Sequence, residues 1–232
     1  MPDPTPEPDA EPLDPEQLAA LVATRQSLHA VAESILAGHQ HRTVGTIRLR
    51  TAPGGFSTGP LPNEPLRLAV RGTDLVVTGG AGERSVRLSG SLGELAAFAG
   101  VDFGPPVGVY PPGAPATAAD DVQVDGAGAA LISRGFSLGQ LALNGLAAGT
   151  TDPVLWPEHF DLGVSLGEVN YGVSAGDSAV AEPYAYVGPW MARTGAFWNQ
   201  PFGAARLVRT FPDSAALLAW FELGRKHAAE DA

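Results

Sequence analysis

Along residues 15–38 apolar side chains recur three and four positions apart, at Leu18, Leu21, Val22, Leu28, Ala32, Ile35 and Leu36. This is the period of one face of an α-helix. Asp14 stands where an N-cap belongs, Pro15 takes the first helical position, and the helix is expected to end near Gly38. At about 100° per residue, Arg25 and His29 fall on the apolar stripe and Glu33 at its margin. Polar groups on a buried face need partners, so the helix is expected to line a polar site. The plainer alternative sends the Arg25 head to water and bonds His29 to a backbone carbonyl.

Between Val44 and Leu88 the period changes to two, through VGTIRLRT, LRLAVR, DLVVT and SVRLS separated by Gly and Pro clusters. That is an antiparallel meander. Ile47, Leu49, Leu66, Leu68, Val70, Val86 and Leu88 point to one side, and Arg48, Arg50, Arg67, Arg71 and Arg87 to the other. The arginine face lacks the aromatic platforms that single-stranded nucleic acid requires, Phe56 falling in an expected loop, so it reads as a solvated sheet face. Ser91 with Glu94 forms a capping box for a short helix that Gly100 stops. Residues 101–124 are rich in Pro and Gly and form a crossing without regular structure. Residues 125–147 return to helical spacing despite five glycines. A final helix begins at Asp213 or Ser214 and presents Leu217, Leu218, Trp220 and Phe221.

In the stretch 153–190 the alternation places Phe160, Leu162, Val164 and Leu166 on one face of a strand and His159, Asp161, Gly163 and Ser165 on the other. The next strand repeats it, with Val169, Tyr171 and Val173 against Asn170, Gly172 and Ser174. Glycine and serine weaken a solvated strand face unless something approaches the main chain there, which predicts a pocket floor. Tyr184, Tyr186, Trp190, Trp198 and Asn199 supply candidate walls, although for any one of the aromatics a place in a second core is the stronger reading.

The fold class that follows is α+β, with antiparallel sheets, an N-terminal helix and C-terminal helices. Residues 1–14, alternating Pro with acids, are expected to be a disordered tail. Residues 15–232 are expected to form one domain, with two similar halves at 15–100 and 125–232 joined by the crossing 101–124. An AAL…FSLG pattern at 129–139, echoed by AALLAWFELG at 215–224, hints at the repetition.

Composition narrows the chemistry. There is no cysteine, which removes disulfides, thiolate nucleophiles and cysteine-held metals. Of the net charge of −11, six negatives lie between Asp3 and Glu16, leaving 19 acids against 14 bases. So mild an acidity favours neither nucleic acid nor an anionic membrane as a partner. No apolar run is long enough to span a bilayer and the first residues are unlike a signal peptide, so a cytoplasmic location is expected.

Candidate chemistry centres on His159 and Asp161 as catalytic acid and base, with Glu158, Asp177 and Glu182 as further acids. Arg25, His29, Asn170, Tyr184 and Trp198 are candidate ligand-binding residues, and Arg25 suits an acidic small molecule. His29 with Glu33 and His159 with Asp161 also form a set able to hold a divalent metal; no other cofactor is predicted. A common cavity for His29 and His159 is the sharpest expectation. GxSxG occurs around Ser137, Ser165 and Ser174, but only Ser137 leads into a helix, and no parallel βαβ series surrounds it. No P-loop or dinucleotide fingerprint appears. The best overall reading is a small-molecule binding protein or enzyme. The alternatives are a non-catalytic interaction or homodimerisation module using the exposed aromatics, and a metal-dependent enzyme.

Through LWPEHFDL, GEVNYGVSAGD, EPYAYVGPW and FWNQPFGA the chain resembles a family of uncharacterised bacterial proteins. The resemblance runs from the first helix (TRQSLHAVAESIL) to the last and implies no activity, substrate or cofactor.

Overall fold

The computed structural model describes residues 12–61, 66–111 and 115–230. Most of the expected acidic tail and part of the Pro-rich crossing therefore lie outside the described residues.

Helix α1 (Pro15–Val31) begins at a reciprocal cap. The Asp14 carboxylate accepts the Gln17 N–H at 2.8 Å, and Gln17 Oε1 accepts the Asp14 N–H at 3.2 Å. The helix does not stop at Gly38, as its glycine suggested. It widens into a π-helical segment, Ala32–Ala37, and continues as α2 (Gly38–Val44), ending at Gly45 with a left-handed φ of 72°. Gly38 is there for a crossing strap: a Cβ would lie 1.9 Å from Gly104 O. The Gly104 N–H in turn donates to Ser34 O, inside the π-helical segment, at 3.0 Å. The residue that resembled a stop signal is thus a point of close backbone approach.

Strands β1 (Arg50–Ala52), β2 (Gly55–Ser57), β3 (Arg67–Arg71), β4 (Asp74–Gly79) and β5 (Gly82–Arg87) pair antiparallel in sequence order. Phe56 belongs to β2 and is buried, correcting its expected place in a loop. Helix α3 (Leu92–Ala99) carries the capping box and stops at Gly100. Helix α4 (Gly126–Ala147) starts at Asp125, whose carboxylate accepts the Gly128 N–H at 2.8 Å. The second sheet follows as β6 (Val154–Trp156), β7 (Asp161–Leu166), β8 (Val169–Ser174), β9 (Tyr184–Pro189) and β10 (Ala204–Leu207), again antiparallel in order, and α5 (Ser214–Glu230) closes the chain. Each half thus runs helix, five-stranded meander, helix.

Leu49 and Leu155 exchange two backbone hydrogen bonds of 3.1 Å, which stitches the start of the first sheet to β6 of the second. Helix α4 packs across both sheets and against α1 and α5. Its glycines lower helix propensity but open contact: a Cβ at Gly139 would stand 2.7 Å from Val173 Cγ2. Ile132, Phe136, Ala142 and Leu143 of α4 share one apolar core with Leu49, Phe56 and Leu68 of the first half and Leu155, Leu162 and Val173 of the second. Burying each such Leu or Phe stabilises the fold by roughly 1.5–3 kcal/mol. Among the described residues no helix is long and apolar enough to cross a membrane.

Candidate functional site around the 157–160 turn

Strand β6 leaves Trp156 and enters a turn over 157–160 before β7 begins at Asp161. His159 therefore sits on a turn, correcting its expected place on the strand face beside Asp161. The turn is held by Phe160, which adopts a left-handed φ of 50° with its ring buried. That conformation costs a bulky residue on the order of 1–3 kcal/mol. Three rings offset it. His29 stacks on Phe160 at 5.5 Å, and Phe56 and Phe136 meet it edge-on at 5.3 and 5.4 Å. With Phe160 turned into the core, His159 is turned out of it.

Helix α1 docks against this turn and the loop beyond β8. His29 Nε2 donates to Pro157 O at 2.7 Å, fixing the tautomer. Burial lowers the His29 pKa to about 4, outweighing the hydrogen bond that raises it, so the ring is neutral at pH 7. The plainer expectation for His29, a bond to a backbone carbonyl, is what occurs. Arg25 Nη1 donates to Ala181 O at 2.8 Å, and its charge is opposed by Asp177. Asp177 closes its own loop, accepting the Ala179 and Val180 N–H groups and the Tyr184 hydroxyl, the last at 2.5 Å.

Two hollows flank the turn. The first, about 690 Å³, is bounded by Arg25, His29, Gln123, Glu158, His159 and Asp177. His29 and His159 thus line one cavity, although 130 positions apart in the chain. The second, about 420 Å³, is bounded by Arg48, Trp156, Glu158, His159, Asp161 and Asn170, with Gly163, Ser165 and Tyr186 on its floor. Glu158 and His159 belong to both.

The floor of the second hollow explains the small residues of the strand face. Gly163 pairs with Gly172 and Gly172 with Tyr186 across three neighbouring strands. The Tyr186 side chain lies back over both glycines: a Cβ at Gly172 would stand 2.5 Å from its Cζ, and one at Gly163 would stand 2.9 Å from its hydroxyl. That hydroxyl donates to Asp161 Oδ2. The close approach expected from the glycines is made by the chain's own tyrosine, not by a guest touching the main chain. Farther along the same face Ser165 donates to Asn170 Oδ1 at 2.7 Å, and Trp190 Nε1 donates to the same oxygen at 3.2 Å.

Burial raises the Asp161 pKa to about 6, with the Tyr186 hydrogen bond and His159 acting against the shift. Its Oδ1 is buried without a hydrogen-bond partner, as is Glu158 Oε2. Burial and the charges of Glu33 and Glu158 also suppress ionisation of the Tyr110 hydroxyl. With its pKa raised in this way, the Asp161 carboxyl can take up or release a proton near neutral pH.

The four residues expected to hold a metal do not assemble. Among the described residues no group of three or more His, Asp or Glu is arranged as ligands. His29 commits Nε2 to Pro157 O, Asp161 commits one oxygen to Tyr186, and Glu33 is fully buried in the π-helical segment of the first helix. Two expected ligand contacts also lie elsewhere. Tyr184 is buried, with its hydroxyl on Asp177, and Trp198 packs against Phe197, itself stacked on His227 of α5; neither is among the residues that bound these two hollows. Trp190 and Met191 are well exposed. Ser137 faces outward in the middle of α4, and Ser165 and Ser174 lie within strands, so none occupies a strand-to-helix elbow.

Reading residue types alone underweighted Trp156, Arg48 and Tyr186. The signal for Tyr186 was present as two glycines and a tyrosine, but it becomes visible only once the register of three strands is known.

No family model, curated protein or solved structure matches this chain.

Proposed function

We propose that the chain binds a small polar molecule in the hollows around the 157–160 turn, as a binding protein or as an enzyme using Asp161 and His159. The observation that carries this reading is the pair of buried carboxylate oxygens, Asp161 Oδ1 and Glu158 Oε2, which have no hydrogen-bond partner within the protein and belong to residues walling these hollows. Each unmade bond costs about 1–3 kcal/mol. A ligand that donates to them recovers that cost on binding.

The charge around the first hollow favours such a donor over the acidic ligand expected from Arg25. Its lining includes Asp120, Asp121, Glu158 and Asp177 against Arg25 alone, and the Arg25 head is already engaged with Ala181 O. The reading is tested by thermal-shift measurements on wild type and His159→Ala with a panel of metabolites, each with and without divalent metals. At a hundred times its Kd a ligand adds about 2.7 kcal/mol of stability. The expected result is a rise in Tm in wild type that the variant loses. A rise equal in both proteins, or none for any compound, removes the reading.

A further inference from the structure

We infer that the second hollow takes a hydroxyl-rich ring, a pyranose or a cyclic polyol, seated on Tyr186; the inference rests on the binding reading above and specifies its ligand. Because Gly163 and Gly172 carry no side chains, the Tyr186 ring lies against the backbone of β7 and β8, and it forms part of the hollow's floor. A flat aromatic surface with polar groups at its margin matches the alternating apolar C–H faces and equatorial hydroxyls of a sugar ring.

The polar groups around this platform are of both kinds. Asp161 Oδ1 and Glu158 Oε2 are acceptors without partners. Asn170 has its carbonyl oxygen occupied by Ser165 and Trp190, which leaves its amide N–H groups as donors. Arg48, whose guanidinium lies over the Trp156 ring at 5.7 Å, adds further donors at the same hollow. An ammonium would serve the acceptors and be opposed by Arg48, and a carboxylate would do the reverse. A hydroxyl donates and accepts through one atom, so several on one ring match the whole set. From Asp161 to Ser165 the strand covers about 13 Å at roughly 3.3 Å per residue, a span that admits one or two pyranose rings.

The test is saturation-transfer NMR on the full chain with D-glucose, D-mannose, myo-inositol and trehalose, beside putrescine and betaine as cations and citrate as an acid. At least one hydroxylic probe is expected to receive saturation at its ring C–H protons. Its affinity should fall about tenfold or more in Asp161→Asn, the loss that goes with a hydrogen bond to a charged acceptor. It should fall several-fold in Asn170→Ala and remain unchanged in Glu83→Gln, an exposed position on β5 that lines neither hollow. Should Asp161→Asn not fold, by far-ultraviolet circular dichroism, Asn170→Ala carries the test. Binding of hydroxylic probes that neither Asp161→Asn nor Asn170→Ala weakens overturns the placement. Binding confined to putrescine, betaine or citrate and lost in His159→Ala overturns the ligand class while sparing the broader reading. No binding of any probe, together with no thermal shift from the wider panel, removes both.

Discussion

Replacing Gly163 by alanine tests whether the glycines of the second sheet exist for Tyr186. The new Cβ would stand 2.9 Å from the Tyr186 hydroxyl and 3.3 Å from Tyr171 O, with the next neighbour beyond the adjoining residues, Asp161 Oδ2, at 3.9 Å. The hydroxyl cannot retreat freely, because it donates to the buried Asp161 carboxylate. Overpacking of this kind costs about 1–3 kcal/mol, and a lengthened hydrogen bond to a charged acceptor costs a comparable amount. Gly163→Ala should therefore destabilise the wild type by about 2 kcal/mol. In a Tyr186→Phe background the obstructing atom is gone, and the lower chain entropy of alanine recovers roughly 0.5–1 kcal/mol. The same substitution should then be close to neutral, giving a coupling energy of at least about 1 kcal/mol. Urea unfolding of the four proteins of the cycle, followed by far-ultraviolet circular dichroism, measures it. Additivity within about 0.5 kcal/mol would refute the argument, since independent sites behave in that way.

Two buried groups should give opposite pH dependences. Asp161 has a folded pKa of about 6, above its unfolded value, so its contribution is complete below about pH 4 and is lost as pH rises through 6. His29 has a folded pKa of about 4, below its unfolded value, so the fold loses stability as pH falls from about 6.5 toward 4. At 1.36 kcal/mol per pKa unit each amounts to roughly 3 kcal/mol. Relative to wild type, Asp161→Asn should gain stability as pH rises over this window, and His29→Gln should gain it as pH falls. Denaturation midpoints measured across the window check both signs, and parallel curves for the three proteins would contradict them. Gln40 is fully buried, donating to Thr46 O at 3.1 Å and Arg48 O at 2.9 Å and accepting the Gly59 N–H at 2.7 Å. Gln40→Leu strands three backbone groups and should cost about 3 kcal/mol or more by calorimetry. A near-neutral result would mean that the chain between α2 and β1 relaxes to other partners.

Local chemistry carried much of the fold. The Asp14 and Ser91 caps, the glycine stop after α3, the Asp125 start of α4 and the period-two strands are each decided within a few residues, by side chains meeting neighbouring N–H groups or by the alternation of a pleated backbone. Composition likewise bounded the chemistry, because a chain without cysteine offers no thiolate as nucleophile, disulfide partner or metal ligand. The convergence of Arg25, His29 and His159 was inferable as a polar need on an apolar stripe, although the partner of that need was not. Pro157 O and Ala181 O lie 128 and 156 residues away from the groups they accept from. What only the tertiary structure decided is the identity of close neighbours. The Gly104 strap carries the first helix past Gly38, and the turn at Phe160 takes His159 off the strand face. Register across three strands lays Tyr186 over two glycines beside Asp161. A short sequence pattern reports that a backbone must be approached or a polar group paired. Which distant atom does so depends on how helices and sheets come together to bury a shared core, and that is a property of the whole packed chain.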